Sequence, residues 1–438
     1  MRHFLFLVTL FLCSVYSSLG QEYIRMIDDG SYLVSEIVAI GEAYFSDKDK
    51  GRGSGYKQFK RWEYMANQLM DADGYLTSQA DKVVALERYN KYLNQTADSR
   101  KQLSDNWTEI GPTYWNATTH WSPGVGRITG FAVDAANNNH IIVGAENGGI
   151  WRTIDAGETW SPLCDYFSNM DVYSVTIDPS NSDTYFFGSS SGSIYKSEDT
   201  GATWNELVDL GNSKINKILM NPDNTDILFA SSENAGLFTS FDGGDTWSFP
   251  ITDDNSSYDI EFKPQDPTIV YATGEKFHKS TDGGLTFETI TSPFEVNPKM
   301  MGVTPDDSNV IYVIESEWGS FNALYKSTDA GETFTQLDHA GRNYFGYDTN
   351  GIEHGGQAPR DMDICVNPQN ANEVHIAGIL TWRSLDGGTT FEITSDWIPQ
   401  SAADLGVGYH HADVDMLAFV GSSLYVGSDG GIFKAADT

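Results

Sequence analysis

Cysteine is scarce in this 438-residue chain: Cys13, Cys164 and Cys365 are all it has. Cys13 falls in an N-terminal apolar stretch. The other two sit in sequence units far apart, so no disulfide framework is expected and both read as buried thiols. Basic residues are also few. Twenty-seven Lys and Arg against 61 Asp and Glu give a formal charge of −34, which argues against nucleic acid and against anionic membranes as partners and suits a solvated extracellular surface. No apolar run beyond the N-terminus approaches the length needed to span a bilayer. No nucleophile–base pairing is evident, which argues against serine and cysteine hydrolases. No cofactor is expected, and the sequence leaves metal binding open.

What is present begins with a leader. Arg2 and His3 precede an apolar stretch from Phe4 to Val15, and the small residues Ser18 and Gly20 follow. This is the grammar of a secretory signal cut after Gly20, predicting a chain that is secreted or displayed at the cell surface. Residues 21–104 then read as a small helical lead-in or pro-segment. Apolar residues recur at helical spacing through Leu33, Ile37, Ile40 and Tyr44, again through Phe59, Trp62, Ala66 and Leu69, and again through Val83, Leu86, Tyr89 and Leu93. Loops are predicted at 48–55 and 71–74. The DADG of the second loop fails as a calcium loop, because the residue eleven beyond Asp71 is Lys82 rather than Glu.

From residue 105 onward the chain repeats itself. A phrase of the form S/T-x-D-x-G-x-T-W/F recurs with its aspartate at Asp155, Asp199, Asp242, Asp282, Asp329 and Asp386, and begins again at Asp437. Each unit carries an apolar run ending in a turn (ITGFAVD at 128–134), a second run (IIVGA at 141–145), a third leading into the aspartate phrase, and a fourth opened by its Trp or Phe. Four short strands per unit at this period predict an all-β, seven-bladed β-propeller over 105–438. The repeated aspartates read as turn-formers: the carboxylate accepts backbone N–H bonds, and the glycine two places on takes a positive φ. Trp107–Pro112, WTEIGP, is similar to the strand after each aspartate phrase and is expected to complete the last blade, so that no sheet edge is left open. The expected state is a monomer or part of a longer multidomain chain, the latter because the sequence stops at Thr438 inside a repeat.

These phrases are Asp-boxes (BNR repeats), and 107–438 resembles the Asp-box propellers of sialidases, sortilin-type receptors and xyloglucanase-type glycoside hydrolases. The stretch GYKQFKRWEY at 55–64 is similar to the lead-in of large bacterial proteins exported by the type IX route. The sialidase likeness implies an arginine in an R-I-P-like motif; Arg127 and Ile128 are present without the proline. The xyloglucanase likeness implies one acidic residue before a Gly-Gly in the first blade and another in a second propeller. Here the first-blade phrase is ENGG, which places Glu146 where the aspartate is expected. An inverting glycosidase needs a second carboxyl; Asp413, Asp361 and Asp429 are all candidates for it, and Glu146 with Asp413 is the pair carried forward.

The box turns crowd one face of a propeller, so a ligand site is expected on the other. Long insertions supply aromatic and polar candidates there: Trp115 and Trp121; Trp318; Tyr344, Tyr347, His354 and Arg360; Trp397, His410 and His411; and Asp429. Two readings stand side by side. Either these residues converge on an aromatic-rimmed mouth that grips a polysaccharide or an extracellular protein, or each aromatic packs down its own loop. In unit seven, strand alternation predicts that His411, Asp413 and Asp415 face one way, as a metal or acid/base group or as a hydrogen-bonded ring with Lys217, Asp259 and Asp363. The first expectation is a binding module; the second is a xyloglucanase-like glycoside hydrolase of which this ring is one half.

Overall fold

The computed structural model describes residues 22–27, 31–51, 54–71, 73–76 and 88, and then 124, 126–164, 167, 171–211 and 213–435. The leader, most of the third helical stretch, Trp115, Trp121, the 107–112 segment and Asp437 lie outside the described residues. The chain divides into two compact units, Met1–Trp107 and Thr108–Thr438.

In the first unit, helices cover Val34–Phe45 and Tyr56–Leu69, matching two of the three helical periodicities. Ile37, Phe45 and Phe59 are buried with Tyr23 and Met26. The helices meet closely because Gly41 carries no side chain: a Cβ there would lie 2.2 Å from the Phe59 ring. The 71–74 loop is an Asx turn, in which Asp71 Oδ1 accepts the amides of Asp73 and Tyr75. Among the described residues, no helix is long and apolar enough to cross a membrane.

The second unit is a seven-bladed propeller. Its innermost strands are Ile128–Asp134, Val172–Asp178, Ile215–Met220, Asp259–Lys263, Lys299–Val303, Asp363–Val366 and Val414–Val420; blades are numbered 1 to 7 in that order. Each sheet is an antiparallel meander running outward. Blades 1, 2, 4, 5 and 6 have four strands, and blades 3 and 7 have three among the described residues. In blade 3 a single Thr239–Ser248 bridge stands where the outer strand would be.

The middle strands show why the apolar runs are continuous rather than alternating. On Asn137–Ala145, Ile141 and Val143 pack with Tyr425 of blade 7, while Ile142 packs with Val172 and Val175 of blade 2. Each blade is a layer buried on both sides. The same contacts close the ring. Tyr425 Oη donates to the Ala156 carbonyl at 3.1 Å across the 7–1 junction, just as Tyr271 Oη donates to Ala330 at 3.1 Å across the 4–5 junction.

The six described box turns are built alike. In the first, Thr153 Oγ1 donates to Asp155 Oδ1 at 2.6 Å and accepts from Gly157 N at 2.9 Å, while Thr159 N and Oγ1 donate to the same carboxylate at 2.9 and 2.6 Å. Those bonds from Thr153 and Thr159 hold the Asp155 carboxyl down at about 2. The glycine two places on has φ of +95° at Gly157 and +84° at Gly201, as expected. The residue between aspartate and glycine is also left-handed, at +59° for both Ala156 and Thr200. Its amide ties the box to the turn between the first and second strands (Ala156 N to Asn139 O, 3.0 Å; Thr200 N to Asp183 O, 2.9 Å). Box turns and first-to-second-strand turns therefore share one face. The opposite face holds the starts of the innermost strands and the second-to-third-strand turns.

Cys164 and Cys365 are both free. Cys164 is buried, with its Sγ accepting the Ile150 amide at 3.0 Å. Cys365 is only half-buried and faces the axial channel.

A candidate ligand-binding mouth

On the face opposite the boxes, charged side chains from different blades meet at the axis. Arg127 immediately precedes the innermost strand of blade 1. Its Nε lies 2.7 Å from Asp415 Oδ2 and its Nη2 2.5 Å from Oδ1, a two-pronged pair across the 7–1 junction. Nη1 reaches Glu146 in the second-to-third-strand turn of its own blade at 2.5 Å, and Nη2 reaches the Tyr173 hydroxyl of blade 2 at 3.3 Å. Arg360, leading into blade 6, is held more loosely. Its Nη1 is 3.2 Å from Asp361 and 3.5 Å from Asp413, and its Nη2 is 3.1 Å from Asp429. Arg127 Nε lies 3.4 Å from the same Asp429 oxygen, so that carboxylate bridges the two arginines. Lys214, just before blade 3, pairs with Glu233 at 2.6 Å and with Tyr173 at 3.1 Å.

Arg127, Glu146, Tyr173, Lys214, Glu233 and Arg360 share an open cavity of about 430 Å³. Below it runs an axial channel of about 410 Å³ lined by the innermost strands of all seven blades. Inside, Lys217 lies 2.8 Å from Asp259 and 2.6 Å from Glu261. Asp363 accepts the amides of Ile364 and Leu417 at 2.8 and 2.6 Å. This is a ring of inner-strand charges satisfied by its own members and by backbone.

The electrostatics separate the carboxyls. Asp361 is fully buried, and burial, reinforced by the neighbouring Asp413 charge, pushes its carboxyl up to about 8 despite Arg360. Burial and the Asp259 charge raise Asp363 to about 7. Burial also raises Asp415, against the pull of Arg127. Burial raises Tyr347, and the charges of Asp413 and Asp361 raise it further.

The structure gathers Glu146, Arg360, Asp413 and Asp429 at this mouth. Other candidates go elsewhere. Tyr344 and Phe345 are buried between blades 5 and 6, and Trp397 packs against the same cluster. There the Tyr344 carbonyl accepts the Trp382 Nε1 proton at 2.9 Å. His410 is buried, with its ring nitrogens taken by Ser395 and by the His411 carbonyl, and burial lowers it to about 4. His354, Tyr347 and Trp318 are exposed. The described candidate aromatics thus divide evenly: Tyr344 and Trp397 anchor their insertions over two blades, while Trp318 and Tyr347 face solvent. The predicted alternation of His411, Asp413 and Asp415 also fails. The strand starts only at Val414, and Asp413 takes a left-handed φ of +65° that breaks the alternation before it. Among the described residues, no group of three or more metal-ligating side chains is assembled.

Arg127 enters the sequence argument only as an incomplete sialidase motif, and Tyr173, Lys214 and Glu233 do not enter it. One local signal marks three members of the mouth. Arg127, Lys214 and Asp413 each directly precede an innermost strand, so superposing the repeats brings them to one ring.

The family model Sortilin-Vps10, described as sortilin, neurotensin receptor 3, matches residues 148–248 and 235–392. No curated protein matches the sequence. Among solved structures, an ancestral GH74 enzyme aligns over 74% of this chain and 46% of its own, at 19% identity and a TM-score of 0.57. The GH74 xyloglucanase of Xanthomonas campestris aligns over 73% of this chain and 53% of its own, at 15% identity and a TM-score of 0.54. YCF48 bound to D1 peptide aligns over 73% of this chain and 95% of its own, at 17% identity and a TM-score of 0.50. Likenesses at such identities carry the fold alone, and the chain spans about half the length of the GH74 enzymes it matches.

Proposed function

This chain belongs to the Sortilin-Vps10 family, and on that premise we propose that it is an exported binding module whose axial mouth, opposite the Asp-boxes, takes a segment of an extracellular polypeptide without cleaving it. One observation carries this reading. Each partly exposed carboxylate around the two arginines, namely Glu146, Asp413 and Asp429, already lies against Arg127 or Arg360. The carboxyl best suited by its protonation to act as a general acid, Asp361, is sealed from solvent. A glycosidase needs a protonated acid that touches its substrate, whereas a lattice of paired charges suits recognition. Two of the candidate aromatics that could stack on a sugar chain, Trp397 and Tyr344, pack instead against the core of blades 5 and 6. The family description names a receptor, and one similar propeller was solved holding a peptide.

The second reading, a glycoside hydrolase in which this ring is half of a cleft, draws on the GH74 likeness and its half coverage. Incubating the exported protein with soluble β-glucans and measuring reducing-end release separates the two. The expected result is no release, together with calorimetric binding of short peptides that Asp429→Asn weakens at least tenfold. Release that Glu146→Gln abolishes would replace this reading with the second. Export itself predicts a mature N-terminus at Gln21, checked by mass spectrometry of the secreted chain.

A further inference from the structure

In blade 5 the hairpin between strands Ile311–Glu317 and Ser320–Ser327 turns on Trp318 and Gly319. Both have positive φ, +50° and +84°, the pattern of a two-residue turn that ordinarily takes Asn, Asp or Gly at its first position. The corresponding turn of blade 1 has Asn147 at +57°. A bulky aromatic in this conformation is strained, and packing does not offset the strain, since Trp318 is 93% exposed. The turn is nevertheless firmly held. Ala358 N donates to the Gly319 carbonyl at 3.3 Å, Ser320 Oγ accepts the Gly355 amide at 3.1 Å, and Asn343 Oδ1 accepts the Phe321 amide at 2.9 Å. The loop that braces it also exposes Ile352 and Tyr347, and two residues beyond Ala358 it supplies Arg360 of the mouth. Glu317 and Glu353 are exposed beside these apolar groups.

A strained, rigid, solvent-facing tryptophan with an acidic border, on the same face as the mouth, has the attributes of a pre-organised anchor. We propose that Trp318 is the second contact point of the ligand site, receiving an apolar side chain of a basic polypeptide segment whose charged part lies in the mouth. The proposal rests on reading the mouth as a ligand site. The negative border and the chain's −34 charge select a basic segment, and the single tryptophan at the turn suits one apolar residue of that segment.

The test uses two fluorescein-labelled twelve-residue peptides rich in Lys and Arg, one with a central Leu and one with Ser in its place, together with a labelled xyloglucan oligosaccharide. Anisotropy titrations compare the whole protein with Trp318→Asn and Asp429→Asn. Asn suits the left-handed turn, so Trp318→Asn is expected to melt no lower than the parent. It should weaken the Leu peptide about tenfold and leave the Ser peptide unchanged, while Asp429→Asn alters both. Unchanged affinity of Trp318→Asn for the Leu peptide overturns the anchor and leaves the mouth standing. An effect of Trp318→Asn with none of Asp429→Asn overturns the mouth instead. Binding of the oligosaccharide in place of both peptides, lost in Trp318→Asn, overturns the partner class. Absence of peptide binding overturns the proposal as a whole.

Discussion

Asp361 shows how one side chain couples the mouth to solution conditions. Its carboxyl titrates near 8 in the fold because it is buried beside Asp413, against about 3.9 in an unfolded chain. The folded state therefore holds one more proton between those values, and this residue's share of stability falls as pH rises from about 4 to 8. Asp361→Asn is nearly isosteric and cannot ionise. It is expected to leave the melting midpoint at pH 4 unchanged and to raise it at pH 8 by about 4 °C, on the order of 1–2 kcal/mol in a domain of this size. A parallel shift at both pH values would show that packing, not ionisation, decides the outcome. The neighbouring residues explain why this site was hard to read in sequence. Arg127 and Asp415 are 288 positions apart and meet only because the ring closes. Asp413 departs from strand alternation because of a left-handed residue that no local pattern announces.

At the level of turns and strands, the repeated aspartate turn was legible in its hydroxyl, carboxylate and glycine, which act within five residues. What the pattern concealed was the second left-handed position. Thr200, β-branched, sits at φ +59° between Asp199 and Gly201, where three of the other boxes have glycine at the same place, Gly243, Gly283 and Gly387. Relief of left-handed strain is worth about 1–2 kcal/mol, and the entropy lost by glycine offsets about 0.5–1 of it. Thr200→Gly should therefore stabilise by about 0.5–1 kcal/mol in a urea titration. A glycine in a middle strand has the opposite sensitivity. Gly188 of blade 2 faces Ile215 of blade 3 so closely that a Cβ would lie 2.5 Å from the isoleucine Cβ. Gly188→Ala should cost about 1–3 kcal/mol by overpacking, measured by the same titration. The loop aromatics were the least legible, because Tyr344 and Trp397 look alike in sequence whether they cover two blades or face a ligand.

For the whole molecule, the seven-fold period was readable from spacing alone, and the structure carries it through to a closed ring. Tyr425 bonding to Ala156 repeats across the 7–1 junction the contact that Tyr271 makes with Ala330 between blades 4 and 5.

The burial of each middle strand on both of its sides has a further consequence. A layer whose apolar residues are shared with two neighbours cannot come loose without wetting both adjoining surfaces, so local opening is penalised twice and no position around the circle is an obvious point of entry for unfolding. Amide exchange on Ile142, Phe187, Phe229 and Val313 should accordingly be slow to a similar degree, with the wheel giving way as one body rather than spoke by spoke.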